Sequence, residues 1–275
     1  MAAGNTEAQQ TSPGDSQLQS SELGCEIRNR VALLTINRPE RMNAWTPALE
    51  QQFKARILEI RSDDEIRCIV LTGAGKAFCA GMDMQVLQSG PSTPTPSTAD
   101  ADPRYSYLTT LDKPFIAAIN GAAAGVGLCI ALYSDLRFVT PEARLTAPYA
   151  RRGLVAEHGI AWLLPRLIGP MHAADLLLSG RTVSGAEAGR MGLANVLPAE
   201  GFLDAVLERA NEIANLGSPR STRIMKQQLL AAREGTLAEA TRVADREMTD
   251  CKATEDFREG VQHFIEKRPP HFTGR

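Results

Sequence analysis

Apolar residues fall along this chain in two rhythms. Short unbroken runs at 31–36, 68–72 and 115–119 are bounded by Asn37-Arg38-Pro39, Gly73-Ala74-Gly75 and Asn120-Gly121. Runs of that length between turn formers predict buried strands. Leu136 to Val139 and Arg144 to Thr146 read as two shorter strands flanking a turn. Elsewhere the spacing becomes helical. Leu49, Phe53, Ile57 and Ile60 form one face behind Thr46-Pro47, with Glu50 in the first turn, so threonine caps a helix that proline opens. Helical patterns at 159–167 and 171–178 are split by Gly169-Pro170. Ser184 to Glu187 starts another helix that ends near Gly192, and beyond Pro198 the chain is mostly amphipathic helix to Lys267. Strands alternating with helices, then a helical last third, predict an α/β fold whose sheets are covered by helices.

Within this pattern residues 114–135, PFIAAINGAAAGVGLCIALYSD, stand out. A strand breaks at Asn120-Gly121, small residues run to Gly125-Val126-Gly127, and an apolar helical segment follows from Leu128 to Tyr133. A strand, a glycine turn and a helix start leave backbone N–H groups at the positive end of a helix dipole. Such a turn serves either close packing or an anion and a developing oxyanion. Residues 76–83, KAFCAGMD, form a second small-residue loop after a strand.

Composition narrows the function classes. At 275 residues, one large domain or a domain with a helical appendage is expected. A net charge of −2 without a polybasic block excludes a nucleic-acid surface. No apolar run reaches membrane-spanning length, so no membrane partner is expected. Five scattered cysteines, without CxxC spacing, read as reduced thiols in a cytoplasmic protein, and four dispersed histidines give no metal cluster. The division expected is a disordered Gln/Ser/Gly-rich tail at 1–22, a core at 23–198 and a helical region at 199–275, with a Pro/Ser/Thr-rich mobile loop or lid at 89–104.

Several ordered motifs carry a family resemblance after about residue 24: LTINRPERMNAW, VLTGAGKAFCAGMDM, KPFIAAINGAAAGVGLCIALYSD, LLLSGRTVSGAEAGRMGLANVL and DFREGVQHFIEKRPPHF. Together they resemble the enoyl-CoA hydratase/isomerase (crotonase) family. The resemblance implies a spiral of ββα repeats with C-terminal helices that build a trimer or dimer of trimers. It implies an acyl-CoA thioester substrate, a place in fatty-acid metabolism, and no metal or organic cofactor. By matching motifs, the N–H groups of Met82 and Val126 form an oxyanion hole for the thioester oxygen. The CoA moiety is then expected along Arg41, Met42, Ala80 and Gly81, with Lys267 and Arg268 either near its phosphates or simply a solvated helix end.

The chain also departs from the pattern. Hydratases of the family use two glutamates, and aligned motifs place Cys129 and Tyr149 at those positions. The water-activating pair is therefore missing. Eight residues beyond Tyr149, Glu157 falls where dienoyl-CoA isomerases of the family place an aspartate. Glu157 either shuttles a proton or pairs with Arg151 or Arg152. His158 either orients Glu157 or sits at a surface or helix cap. Tyr149 either donates a hydrogen bond or shapes the acyl pocket, and Cys129 reads as a small buried thiol. Trp45 and Trp162 read as core or pocket wall, and Asp83 as a local cap. The resulting expectation is an acyl-CoA hydratase or isomerase working through Glu157. The alternatives are an acyl-CoA binding protein without chemistry, or another reaction on the same fold such as thioester hydrolysis.

Overall fold

Two sheets share the work of building the site, and the chain visits them in turn. The computed structural model describes residues 21–89 and 104–275. A hairpin of β1 (Leu23–Arg28) and β2 (Val31–Ile36) leads into α1 (Pro47–Ser62), then β3 (Cys68–Gly73), β4 (Ala77–Cys79) and the short α2 (Met84–Gln88). Next come β5 (Phe115–Ile119), β6 (Ala122–Ala124) and α3 (Val126–Leu132), then β7 (Leu136–Val139), β8 (Arg144–Thr146) and α4 (Ile160–Ser179). The chain continues through β9 (Thr182–Ser184), α5 (Gly185–Arg190), β10 (Asn195–Val196), α6 (Phe202–Leu216), α7 (Pro219–Ala231), α8 (Leu237–Lys252) and α9 (Glu255–Glu266). Six strands form one sheet in the order β1-β2-β3-β5-β7-β10, and four form a second in the order β4-β6-β8-β9. The pairs β3/β4, β5/β6 and β7/β8 each give one strand to each sheet, which makes the chain a spiral.

The unbroken apolar runs arise because the large sheet is covered on both faces. Side chains alternate along a strand. In β3, Ile69 and Leu71 enter the core shared with Phe53, Leu128 and Leu164, whereas Cys68 and Val70 face a second core formed by Phe202, Val206 and Ala210 of α6. Thr46 caps α1 as expected, its hydroxyl accepting from the Leu49 N–H at 3.0 Å, and Leu49, Phe53, Ile57 and Ile60 are its buried residues. Helix α4 breaks at Gly169, whose φ of 79° and ψ of 160° no helix accommodates.

Four short strands were invisible in the pattern. Residues 76–83 are not simply a loop, because Ala77–Cys79 is β4; the small-residue run after Asn120 contains β6; and β9 and β10 span only three and two residues. Alanine-rich segments of three residues carry no periodicity, and pairing with neighbours decides them. Helix α3 also starts two residues earlier than its apolar spacing indicates, at Val126. The expected tail lies outside the described residues except for Ser21 and Glu22, and so does the 89–104 segment except for its two end residues.

Candidate active site

The two turns expected to polarise a thioester follow neighbouring strands. β4 and β6 run parallel, with Cys79 paired to Ala123. Met82 lies three residues beyond Cys79 and Val126 three beyond Ala123, so the two turns leave the sheet in step. Gly127 packs against β4 so closely that a Cβ there would collide with the Cys79 carbonyl oxygen. Gly81 in turn faces the Ala124 carbonyl oxygen, which a Cβ would meet at 3.0 Å.

Backbone pairing frees both N–H groups. Trp45 N–H donates to the Gly81 carbonyl at 2.7 Å, and Asp83 N–H donates to the Trp45 carbonyl at 2.9 Å. That bridge uses the atoms on either side of Met82 and leaves its N–H without a backbone acceptor among the described residues. Val126 is the first residue of α3, where no intrahelical acceptor exists. Gly125 before it has φ 51° and ψ −120°, a conformation reserved for glycine, and donates to the Thr146 carbonyl at 3.2 Å.

Two asparagines and Arg38, outside the expected set, hold this frame together with Asp83, the expected local cap. The Asn43 amide, fully buried, donates to the carbonyls of Ala74 and Ala77 at 2.8 and 2.7 Å. Asn120 donates to the carbonyls of Gly73 and Gly75 at 2.8 and 3.0 Å, so two asparagines brace the β3–β4 connection. Asp83 caps α2 by accepting from the Gln85 N–H at 3.0 Å and pairs with Arg38 at 3.1 Å. Those bonds hold its carboxyl below the usual range, with the Gln85 N–H the largest influence. Both asparagines and Arg38 stand within the motifs, but their bracing contacts span more than thirty residues and leave no local signal.

Arg41, Met42, Ala80 and Gly81 come together beside Met82. The Ala80 N–H donates to the Met42 carbonyl at 3.1 Å, and Arg41 and Met42 are exposed. Lys267 and Arg268 sit at the end of α9. Lys267 is an exposed left-handed cap there, while the Arg268 guanidinium forks onto Glu259 at 2.5 and 2.8 Å and reaches Glu266 at 2.6 Å.

Beyond Val126, α3 carries Cys129, whose thiol is buried and pushed up to about 12, chiefly by burial and then by the Glu157 charge. A thiol held there is not a nucleophile at neutral pH. Tyr149 is 6% exposed, and its hydroxyl has no hydrogen-bond partner among the described residues. Burial also raises its phenol, with smaller contributions from Cys129 and Glu157. Cys129, Tyr149 and Glu157 thus sense one another.

Glu157 pairs neither with Arg151 nor with Arg152. Arg151 donates instead to the Ser179 carbonyl at 2.7 Å, and the partner of Glu157 is His158, with Oε2 and Nε2 3.2 Å apart. The Glu157 side chain keeps 44% of its surface exposed while that of His158 keeps 13%. Two donors fix the His158 carbonyl, the Tyr133 hydroxyl at 2.8 Å and the Cys129 thiol at 3.6 Å, and the Tyr105 ring meets the imidazole edge-on at 5.0 Å. Burial lowers the His158 pKa, with the Glu157 charge opposing it. Tyr105 donates to Glu50 at 3.1 Å, which also receives both arms of Arg104. Trp162 is half-buried under Arg166, whose guanidinium lies 3.9 Å above its ring, and Trp45 is fully buried against Phe53. No cluster of metal-ligating side chains occurs among the described residues, and no described helix is long and apolar enough to cross a membrane.

Comparison with known proteins decides the family. The model of the family described as Enoyl-CoA hydratase/isomerase matches residues 26–275. The chain belongs to that family. Among its relatives, 1,2-epoxyphenylacetyl-CoA isomerase of Escherichia coli (strain K12) is 32% identical over 90% of this chain and 97% of its own length. A probable enoyl-CoA hydratase of Rhodobacter capsulatus is 35% identical over 91% of this chain and 97% of its own. A solved structure of a probable enoyl-CoA hydratase/isomerase from Mycobacterium abscessus superposes with a TM-score of 0.85 at 35% identity, covering 92% of this chain and 99% of that one. A family enzyme with parallel sheets layered by helices is what fold and sequence both show.

Proposed function

We propose that this family member acts on an acyl-CoA thioester and moves a double bond by a proton shuttle at Glu157. The observation that supports the reading is that the turns at Met82 and Val126 leave the sheet in step, while the Glu157 charge acts on Cys129 of α3, the helix that Val126 begins. At the two positions where family hydratases carry glutamates, this chain presents a buried thiol and a tyrosine. In the proposed reaction, Glu157 takes a proton from the saturated carbon next to the thioester carbonyl of an unsaturated acyl chain, and the bonding electrons pass into an enolate conjugated with the chain's double bond. The enolate oxygen accepts from the Met82 and Val126 N–H groups, each contributing roughly 3 kcal/mol by analogy with oxyanion holes. The same proton returns to a carbon further along the chain, the electrons close a new double bond, and Glu157 ends as it began. Its partly exposed side chain, held 3.2 Å from the His158 ring, has the freedom to serve two carbons.

The test is Glu157→Gln, which keeps shape and removes the base. Turnover on a panel of unsaturated acyl-CoAs should fall about 10²- to 10⁴-fold with binding retained. Unchanged turnover would remove Glu157 from the mechanism. The thiol and tyrosine also support a second reading, a binding protein without chemistry. Incubation of the wild-type chain with the same panel in deuterated water separates the two, because deuterium uptake next to the thioester excludes mere binding.

A further inference from the structure

A cavity of about 400 Å³ opens at the end of the large sheet away from the Met82 and Val126 turns. Its wall includes the residues just before β3 (Ile66, Arg67) and just before β5 (Lys113, Pro114). The oxyanion turns follow the opposite ends of those strands, through β4 and β6. The remaining wall comes from the end of α1, the start of α7 and residues 273–275. Six cationic side chains line it: Arg61, Arg67, Lys113, Arg220, Arg223 and Arg275. They face three acidic ones, Asp64, Glu65 and Asp112, in a chain whose net charge is −2. None of these nine groups is in an ion pair among the described residues. Cations therefore outnumber the acidic groups of this wall, and the carboxylates that act on Lys113 and Arg67 do so without direct ion pairing.

Arg67 gives the cavity its character. One guanidinium nitrogen, Nη2, donates to the Phe272 carbonyl at 2.7 Å, while Nη1 is buried and has no acceptor among the described residues. Burial, then the nearby Arg30, lowers the Arg67 pKa, and the charges of Asp256 and Glu65 oppose them without either carboxylate forming an ion pair with the guanidinium. Asp256 is turned to other donors: it accepts from the Ser218 hydroxyl at 2.5 Å and the Thr273 N–H at 2.7 Å. Lys113 is engaged by the Ile60 and Asp63 carbonyls, and Arg220 by the Cys251 sulfur at 2.7 Å. Arg61 and Arg223 make no side-chain hydrogen bond to a described residue, and α7, thirteen residues long, adds its positive end. Forked guanidinium donors match the oxygens of phosphate, and several cations together favour a doubly charged oxyanion over a single carboxylate. At ~30 Å³ per water the volume exceeds a single phosphate group by several waters.

We propose that this cavity is a binding site for a phosphate-type oxyanion, separate from the thioester site. The test compares the thermal midpoint of the full chain in inorganic phosphate, in pyrophosphate and in sodium chloride at matched ionic strength. Phosphate or pyrophosphate should raise the midpoint by several degrees above chloride, by mass action on the folded state. Arg67→Met should abolish that difference. Should Arg67→Met fail to fold, Arg223→Gln, a change to an exposed side chain, decides, and should weaken phosphate binding at least fivefold by calorimetry. Equal midpoints in phosphate and chloride would overturn the proposal, as would unaltered phosphate affinity in Arg223→Gln. Free CoA forms the third arm. If CoA binding weakens in Arg223→Gln as phosphate binding does, the cavity serves the CoA phosphates and the separate site is overturned; unaltered CoA binding is the expected result.

Discussion

Tyr149 follows Pro148 at the position where the family resemblance places the second hydratase glutamate. Its ring is buried beside Cys129 and Glu157, yet its hydroxyl has no partner among the described residues. An unpaired buried hydroxyl costs about 1–3 kcal/mol. Tyr149→Phe removes the cost with little change in shape, so the free protein should melt a few degrees higher. A midpoint that fell would mean the hydroxyl is bonded within the fold. Glu157 teaches the complementary lesson. Its neighbours in sequence offered two arginines, and the chain instead turns His158 toward it through a left-handed φ of 53°. The sequence made Glu157 a candidate; only the path of the backbone chose its partner.

At the scale of elements, the site depends on how closely β4 and α3 approach. Gly127 has no room for a Cβ because the Cys79 carbonyl and side chain occupy it. Gly127→Ala must push the two turns apart. The expected cost is about 1–3 kcal/mol, as for overpacked cores, and turnover should fall further than stability does, because the Val126 N–H moves with the helix start. Circular dichroism melts beside turnover measurements check this, and an active variant with an unmoved midpoint would refute the packing argument. The long elements were legible in advance: β2, β3 and β5 by their apolar runs, and α1 by its cap and stripe. The strands β4, β6, β9 and β10 were not, since two or three residues hold no period.

Across the whole molecule, the C-terminal helices leave apolar side chains uncovered. Leu237 is 84% exposed, Phe264 79% and Ile265 67%, on α8 and α9. Exposed apolar side chains of this kind are expected to be covered in an assembly, and copies of the chain are the partner that the family resemblance implies. Native mass measurement should return a multiple of three times the 29.7 kDa chain; a monomer would contradict it. The same region bears on the CoA contacts. Arg268 is held by Glu259 and Glu266 within its own chain, so any phosphate contact there would have to compete with two carboxylates.

What the sequence determined by itself was the alternation of strands and helices, the two glycine turns, and a cysteine and a tyrosine, not carboxylates, at 129 and 149. These are local or motif properties, written in residue type and spacing. What only the tertiary structure decided was pairing across distance. The Cys79–Ala123 register sets Met82 and Val126 in step, and Asn43 and Asn120 brace a connection from more than thirty residues away. Tyr149 loses its partner through burial, and six cations gather at the far end of the sheet. The physical reason is common to all of them. Hydrophobic period fixes which face of an element is buried, whereas which elements then meet, and which polar atoms stay unpaired, depends on packing that no short stretch of sequence encodes.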